Sequence, residues 1–264
     1  DERIRVFTEE NKGAGAARNR GLTEATGKYM LFLDCDDFFE PDMVQLAYEK
    51  AEEQGAEIVI YKSDQYNMDS DEFVYENWAM MEWALPPYEP FGYRQISTNI
   101  FKAFVGWAWD KLYLREFVAK NDLKFQEQRT TNDALFVFSA LVLAEKISTV
   151  RKILIHRRVD TADSLSKTRE KSWDNFYRML LALRQFLKDR EKWNELEKDF
   201  VNYALHFSLW NYNTLAEPTK TKLRNKLVSE WFEELGIRQR HKEYFYDEYE
   251  YSQYEAMLKL QDTP

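Results

Sequence analysis

The chain has 264 residues, 44% hydrophobic and 31% charged, enough for one large α/β domain or a mid-sized domain with an appendage, and too apolar to be wholly disordered. Its 37 basic and 46 acidic residues give a formal charge of −9, which argues against the broad positive field that a nucleic-acid partner requires. A single cysteine, Cys35, excludes an internal disulfide and fits a reducing, cytoplasmic location; no signal peptide is visible, and the nearly apolar run Ala134 to Ala144 is too short to span a bilayer, so peripheral contact with a membrane face stays open.

Arg3 to Phe7 alternates charged and apolar residues, which predicts a half-exposed strand. Small residues dominate Gly13 to Ala25, Gly27 stands where a helix C-cap glycine would, and Tyr29 to Leu33 reads as a buried strand. Pro41 suits the first turn of a helix that places Val44, Ala47, Tyr48 and Ala51 on one face, ends near Gly55 and leads into a strand at Glu57 to Tyr61. This β-α-β-α-β order predicts an α/β fold with a mostly parallel sheet, helices on both faces and ligand sites at the carboxyl ends of the strands. Ser63 to Phe104 loses periodicity and reads as a long excursion over the sheet. Helices are predicted near Asp110 to Lys120 and Thr131 to Ala144, then a strand at Val150 to His156. Helical periodicity at Trp173 to Lys188, Trp193 to Tyr212 and Pro218 to Leu235 makes 167–264 a helical C-terminal domain after a first domain at 1–166; Trp173, Phe176, Leu180, Leu183 and Leu187 would pack it on that domain or on a second copy.

Asp34, Asp36 and Asp37 follow directly on the strand-like Tyr29 to Leu33. If the chain stays extended, Asp34 and Asp36 point to one side while Cys35 turns back to the core with Leu33. Two hard oxygen ligands there would seat Mg²⁺ or Mn²⁺, completed by water and a substrate diphosphate. A solvated acidic loop with Asp37 or Glu40 as helix cap is the plainer alternative, and a phosphatase of the haloacid dehalogenase type also carries Asp-x-Asp after a strand, though normally continuing to a Thr or Val that is absent here.

Taken together, Asn11-Lys12-Gly13, Ala17-Arg18-Asn19-Arg20-Gly21, Ala25-Thr26-Gly27-Lys28-Tyr29 and Phe32-Leu33-Asp34-Cys35-Asp36-Asp37 resemble the inverting family-two glycosyltransferases of the GT-A (Rossmann-like) fold. A second block, Asp110-Lys111-Leu112-Tyr113, Asn132-Asp133-Ala134-Leu135-Phe136 and Asp163-Ser164-Leu165-Ser166, resembles the downstream half of that family, so the likeness covers roughly 1–166. It implies a nucleotide-sugar donor, usually a uridine diphosphate sugar, and a glycan, lipid-linked or protein-linked acceptor. It also implies Asp36 on a metal, Asp34 on the metal or donor ribose, and Asn11, Gly13 and Arg18 near the nucleotide. Family members begin with a further strand-helix-strand ahead of the point where this sequence opens, an expectation that leaves a non-catalytic binding or assembly subunit as the alternative function.

The family's catalytic base falls at Asp133, which would take a proton from the acceptor hydroxyl; Asn132 stands where a second acid is common. The residues alone also fit a capping box with Thr130 as cap and Asp133 three positions on. Trp109 could stack on a sugar face, Lys111 could approach a phosphate or acceptor group, and Arg158 with Ser164 could close over the diphosphate, although core packing is the stronger reading for a tryptophan and arginines at a strand end are usually solvated charges. His156 reads as structural.

Overall fold

Strand β3 (Ile58–Asn67) divides two cores because its side chains alternate: Ile58 and Ile60 enter one, Val59 and Tyr61 the other, and all four are buried. The computed structural model describes residues 1–159 and 165–259. Around β3 the sheet runs β1 (Tyr29–Met30), β5 (Lys111–Leu114), β3, β6 (Ile147–Val159), β2 (Phe38–Phe39), with β4 (Glu72–Tyr75) forming a hairpin on β3. The α/β class with helices on both faces is as expected, but the strand directions need correction. Of the five pairings among the described residues only β3 with β6 is parallel. The reason is local: β1, β2 and β4 are strands of two to four residues laid on by turns, and β5 returns from a long excursion, so only β6 arrives with parallel geometry.

On one face, α2 (Met43–Gln54) buries Met43, Ala47 and Ala51 against Val59, Tyr61 and Leu154. Spacing of four between small residues lets the helix lie close to the sheet, whereas Val44 and Tyr48, expected on that face, are exposed. Gly55, left-handed at φ 58°, ends it as predicted. On the other face, α5 (Ala134–Leu143) is buried all along Phe136 to Val142, as an all-round apolar helix must be. Helices α6 (Asn175–Asp189) and α7 (Trp193–Thr214) cover it from outside, and Phe176, Leu180, Leu183 and Leu187 share a continuous core with Ile58, Phe136 and Phe200. A π-helical turn, Leu227–Trp231, joins α8 (Thr219–Lys226) to α9 (Phe232–Glu234), and α10 (Glu248–Lys259) closes the described chain. Among the described residues no helix is long and apolar enough to cross a membrane.

Several predicted elements differ. Arg3 to Phe7 forms no strand; Ile4 and Val6 are exposed, and no described strand lies alongside to take up its backbone hydrogen bonds. The helix expected at Asp110 to Lys120 is the buried strand β5 followed by the six-residue α4 (Arg115–Lys120). The excursion starts later than Ser63, because β3 continues to Asn67 before turning into β4; the remainder is irregular apart from the single-turn α3 (Ile100–Ala103) and short 3₁₀ segments. Gly27 is not a helix cap, since α1 (Ala14–Glu24) ends at Ala25 in extended backbone.

Helix α1 is fixed to the segment before α5 by two devices. Asn19 donates from Nδ2 to the Phe125 carbonyl at 3.0 Å and accepts the Phe125 N–H on Oδ1 at 2.8 Å, so one side chain pairs with the backbone as a neighbouring strand would. Gly15 lies directly on the Gln126 backbone, where a Cβ would stand 2.0 Å from the carbonyl oxygen. Gly15→Ala is therefore expected to push α1 away and lower unfolding stability by about 1–3 kcal/mol, read as a shifted midpoint in urea, whereas the same change at Gly21, which meets nothing within 4 Å, is expected to be neutral or stabilising.

Candidate active site

The acidic run leaves the sheet through a turn. Asp37 N–H approaches the Asp34 carbonyl at 3.4 Å, and Cys35 and Leu33 are both exposed. The extended geometry that would turn Cys35 inward is thereby corrected: three acidic residues within four positions gain more from solvent, a turn and a nearby guanidinium than from a strand edge. Asp34 accepts from Arg18 at 2.7 Å, and the other guanidinium nitrogen of Arg18 donates to Asn132 Oδ1, also at 2.7 Å. Arg18 lies over the Phe125 ring and its side chain is only 13% exposed, so the guanidinium is largely shielded from water while the Asp34 carboxylate, 39% exposed, faces it. Asp36 is exposed. Asp37 accepts the Arg158 backbone N–H at 3.0 Å; burial pushes its carboxyl up to about 6 against that hydrogen bond, and the charges of Asp36 and Asp34 add to the rise.

Asp133 stands at the N-cap of α5, but its carboxylate makes no capping bond. Thr130, the cap predicted from the residues alone, places its Oγ1 3.0 Å from Ser172 Oγ, and Thr131 sits at φ 55°, outside helical backbone. The capping-box reading therefore fails, and the half-buried carboxylate is left for other work. Its affinity for a proton is raised by burial, opposed by the positive charge of Arg18, and raised further by Asp34. Arg18 thus lies between the acidic turn and the start of α5, on the helix that Gly13, at φ 91°, begins.

Other candidates divide. Lys111 is fully buried and donates to Asp110 at 2.5 Å and to the carbonyls of Trp107 at 2.8 Å and Val105 at 3.0 Å. All three ammonium hydrogens are used, so it holds the 105–110 segment together and does not reach a phosphate. Burial lowers its proton affinity and raises that of Asp110. Trp109 is also buried, stacked on Trp107 at 4.6 Å, and offers no face to a sugar. Arg158 is exposed beside the Phe38 ring, within the acidic-turn neighbourhood through its N–H to Asp37. Ser164 lies outside the described residues. Asn11 is exposed and accepts the Gly13 N–H at 3.0 Å instead of contacting the acidic turn. His156 is structural in its contacts, held between Asp64 at 2.8 Å and Glu40 at 3.1 Å and stacked on Phe38.

The arrangement gathers Arg18, Asp34, Asn132 and Asp133, with Asp36 and Asp37 at the rim. Sequence reasoning noted Asn132 only as a departure from an acidic residue and gave neither it nor Asn19 a contact. Asn19 stood within the quoted Ala-Arg-Asn string, while nothing local marks Asn132 as the acceptor for a residue 114 positions away. Among the described residues no group of three or more His, Cys, Asp or Glu side chains is placed to hold a metal ion. Asp34 and Asp36 could give a divalent ion two carboxylates, and its remaining oxygens would have to come from water and a diphosphate.

The model for glycosyl transferase family 2 matches residues 1–120. The chain is 25% identical over 237 residues to EpsH of Bacillus subtilis strain 168, covering 86% of itself and 65% of that protein. It is also 25% identical over 274 residues to a cholesterol galactosyltransferase of Borreliella burgdorferi, covering 99% of itself and 74% of the relative. Residues 1–349 of Staphylococcus aureus TarS, solved with UDP-GlcNAc, superpose at a TM-score of 0.51 with 16% identity over 94% of this chain and 74% of that one, a likeness of fold.

The raised carboxyl of Asp37 leads to a signed expectation. The folded chain holds that proton more tightly than the unfolded one, so the group's contribution to stability declines as pH rises from the ordinary carboxylate range through about 6. Asp37→Asn keeps an acceptor for the Arg158 N–H. Thermal melts without metal should place its midpoint above wild type at about pH 7.5, with the gap closing at about pH 4; an equal gap at both pH values would contradict the assignment.

Proposed function

We propose that the chain, whose residues 1–120 match the model for glycosyl transferase family 2, moves a sugar from a uridine diphosphate donor to a hydroxyl of a glycan, lipid-linked or protein-linked acceptor, with inversion at the anomeric carbon. The observation that carries the proposal is the Arg18 bridge, which sets the acidic turn and the uncapped carboxylate of Asp133 around one partly buried guanidinium. The nucleotide assignment draws support from TarS, which shares the fold and was solved with UDP-GlcNAc.

In this reading the two ends of the site do different work. Asp133 accepts the proton of the acceptor hydroxyl as that oxygen attacks the anomeric carbon from the face opposite the diphosphate. Burial makes it a stronger base than a solvated carboxylate, and Arg18 keeps the ionised form accessible. Asp36 and the free oxygen of Asp34 would hold Mn²⁺ or Mg²⁺, which when bound offsets the charge that builds on the departing diphosphate. Arg18 fixes the orientation of Asp34 at one end and, through Asn132, the backbone next to Asp133 at the other.

The test is turnover of UDP-sugars, UDP-GlcNAc first, with Mn²⁺. Asp133→Asn should lower kcat by about 10²–10⁴-fold while UDP binding persists, and Asp36→Ala should abolish the response to metal. The acid limb of kcat/KM should lie above the ordinary carboxylate range, because burial raises Asp133. Wild-type turnover by Asp133→Asn would remove the base, and wild-type metal response by Asp36→Ala would remove the metal site.

A further inference from the structure

The excursion between β4 and β5 carries an aromatic assembly that the reaction described above does not use. Trp78 is 46% exposed and meets Trp107 edge to face, with ring centroids 5.2 Å apart and planes at 70°. Trp107 is itself pinned: the buried Trp109 stacks on it at 4.6 Å, and the Arg157 guanidinium lies 5.2 Å from its ring centroid. Arg157 is in turn held by Glu76 at 2.9 Å, a carboxylate that is 2% exposed and also accepts from Ser63 and Gln65. A surface tryptophan normally has rotamer freedom, and here it is braced by a layered stack with a buried polar base.

The stack is also tied to the site. Lys111 holds the carbonyls of Val105 and Trp107, and Val105 N–H donates to the Ala79 carbonyl at 2.9 Å, next to Trp78. Gly106 rests on the first turn of α5, where a Cβ would stand 3.0 Å from that of Ala134, the residue after Asp133. One buried ammonium therefore sets both the tryptophan pair and the strip of backbone against the proposed base.

Resting on the glycosyl-transfer reading, the geometry points to Trp78, braced by Trp107, as the platform on which the acceptor's sugar ring stacks, with Lys111 as the positioning residue of that platform. A β-linked pyranose presents a face of axial C–H groups, apolar and slightly positive, which complements the negative face of an indole. Arg157 is neutralised by Glu76, so the platform suits an uncharged sugar. Trp107 follows Gly106, which rests on the first turn of α5, so the platform and the start of that helix share one strip of backbone. Trp109, a candidate for this role from the sequence, is the buried support instead.

The experiment is saturation-transfer NMR of the whole chain with methyl β-D-glucopyranoside, methyl β-D-galactopyranoside and chitotetraose, alongside calorimetry with UDP. Wild type should transfer magnetisation to the C–H protons of one sugar face. Trp78→Ala, at an exposed position that the fold tolerates, should weaken binding up to about tenfold, and Trp78→Phe should restore most of it. Lys111→Met should weaken sugar binding as well, or fail to fold, and the Trp78 pair decides the matter in either case. Signal of equal strength in Trp78→Ala, or no signal from any probe in wild type, overturns the platform even where UDP binds. Trp78-dependent sugar binding without UDP binding would uphold the platform and sink the nucleotide-sugar reading separately.

Discussion

The guanidinium of Arg18 is the constraint on which the rest of the site depends. It joins Asp34, in the turn after β1, to the buried Asn132, one residue before the proposed base, and its own side chain is largely out of solvent. A planar fork with two acceptors in fixed directions cannot be replaced by an ammonium without losing one of them. Everything that places α1 therefore places the site. Gly13 turns the chain into the helix, Gly15 lets it settle on the Gln126 backbone, and Asn19 locks it to Phe125. The Ala17-Arg18-Asn19 string acquires a physical meaning: the arginine bridges and the asparagine anchors the helix that presents it.

Charge is distributed unevenly around that bridge. Three aspartates occupy one turn and a fourth lies across the guanidinium, so Arg18 sits among carboxylates that repel one another; burial raises Asp37 and Asp133 further. Such a site favours additional positive charge and disfavours added anions unless a cation accompanies them. The second buried cation, Lys111, is spent wholly on two carbonyls and Asp110. Removing it would leave a buried carboxylate unpaired, a larger loss than the pair's own net contribution. Its effect on function is through the loop it shapes.

Much of the architecture was legible in the residues. The apolar run at Ala134 to Ala144 and the strand at Ile58 to Tyr61 are buried as their patterns required, and the long periodic helices of the C-terminal part fall close to their predicted limits. Failures came where tertiary contacts override local pattern. Lys111 to Leu114 precedes a real helix and merges with its periodicity, so a four-residue strand was hidden. Arg3 to Phe7 alternates correctly but has no described partner strand. Lys111 and Trp109 looked available because nothing in a sequence announces a carbonyl cage or a ring stacked over an indole. Thr130 looked like a cap until the left-handed Thr131 placed the helix start three residues later. Site residues joined by long-range contacts, Asn132 above all, needed the fold before their role could be read.

The most direct test of the bridge is a double-mutant cycle between Asp34→Ala and Asn132→Ala, measured by urea unfolding and repeated in an Arg18→Met background. The two residues share no partner other than Arg18 among the hydrogen bonds of the described chain. The account predicts an interaction of about 0.5–3 kcal/mol with Arg18 present and additivity once it is replaced. Additive effects in the presence of Arg18 would contradict it.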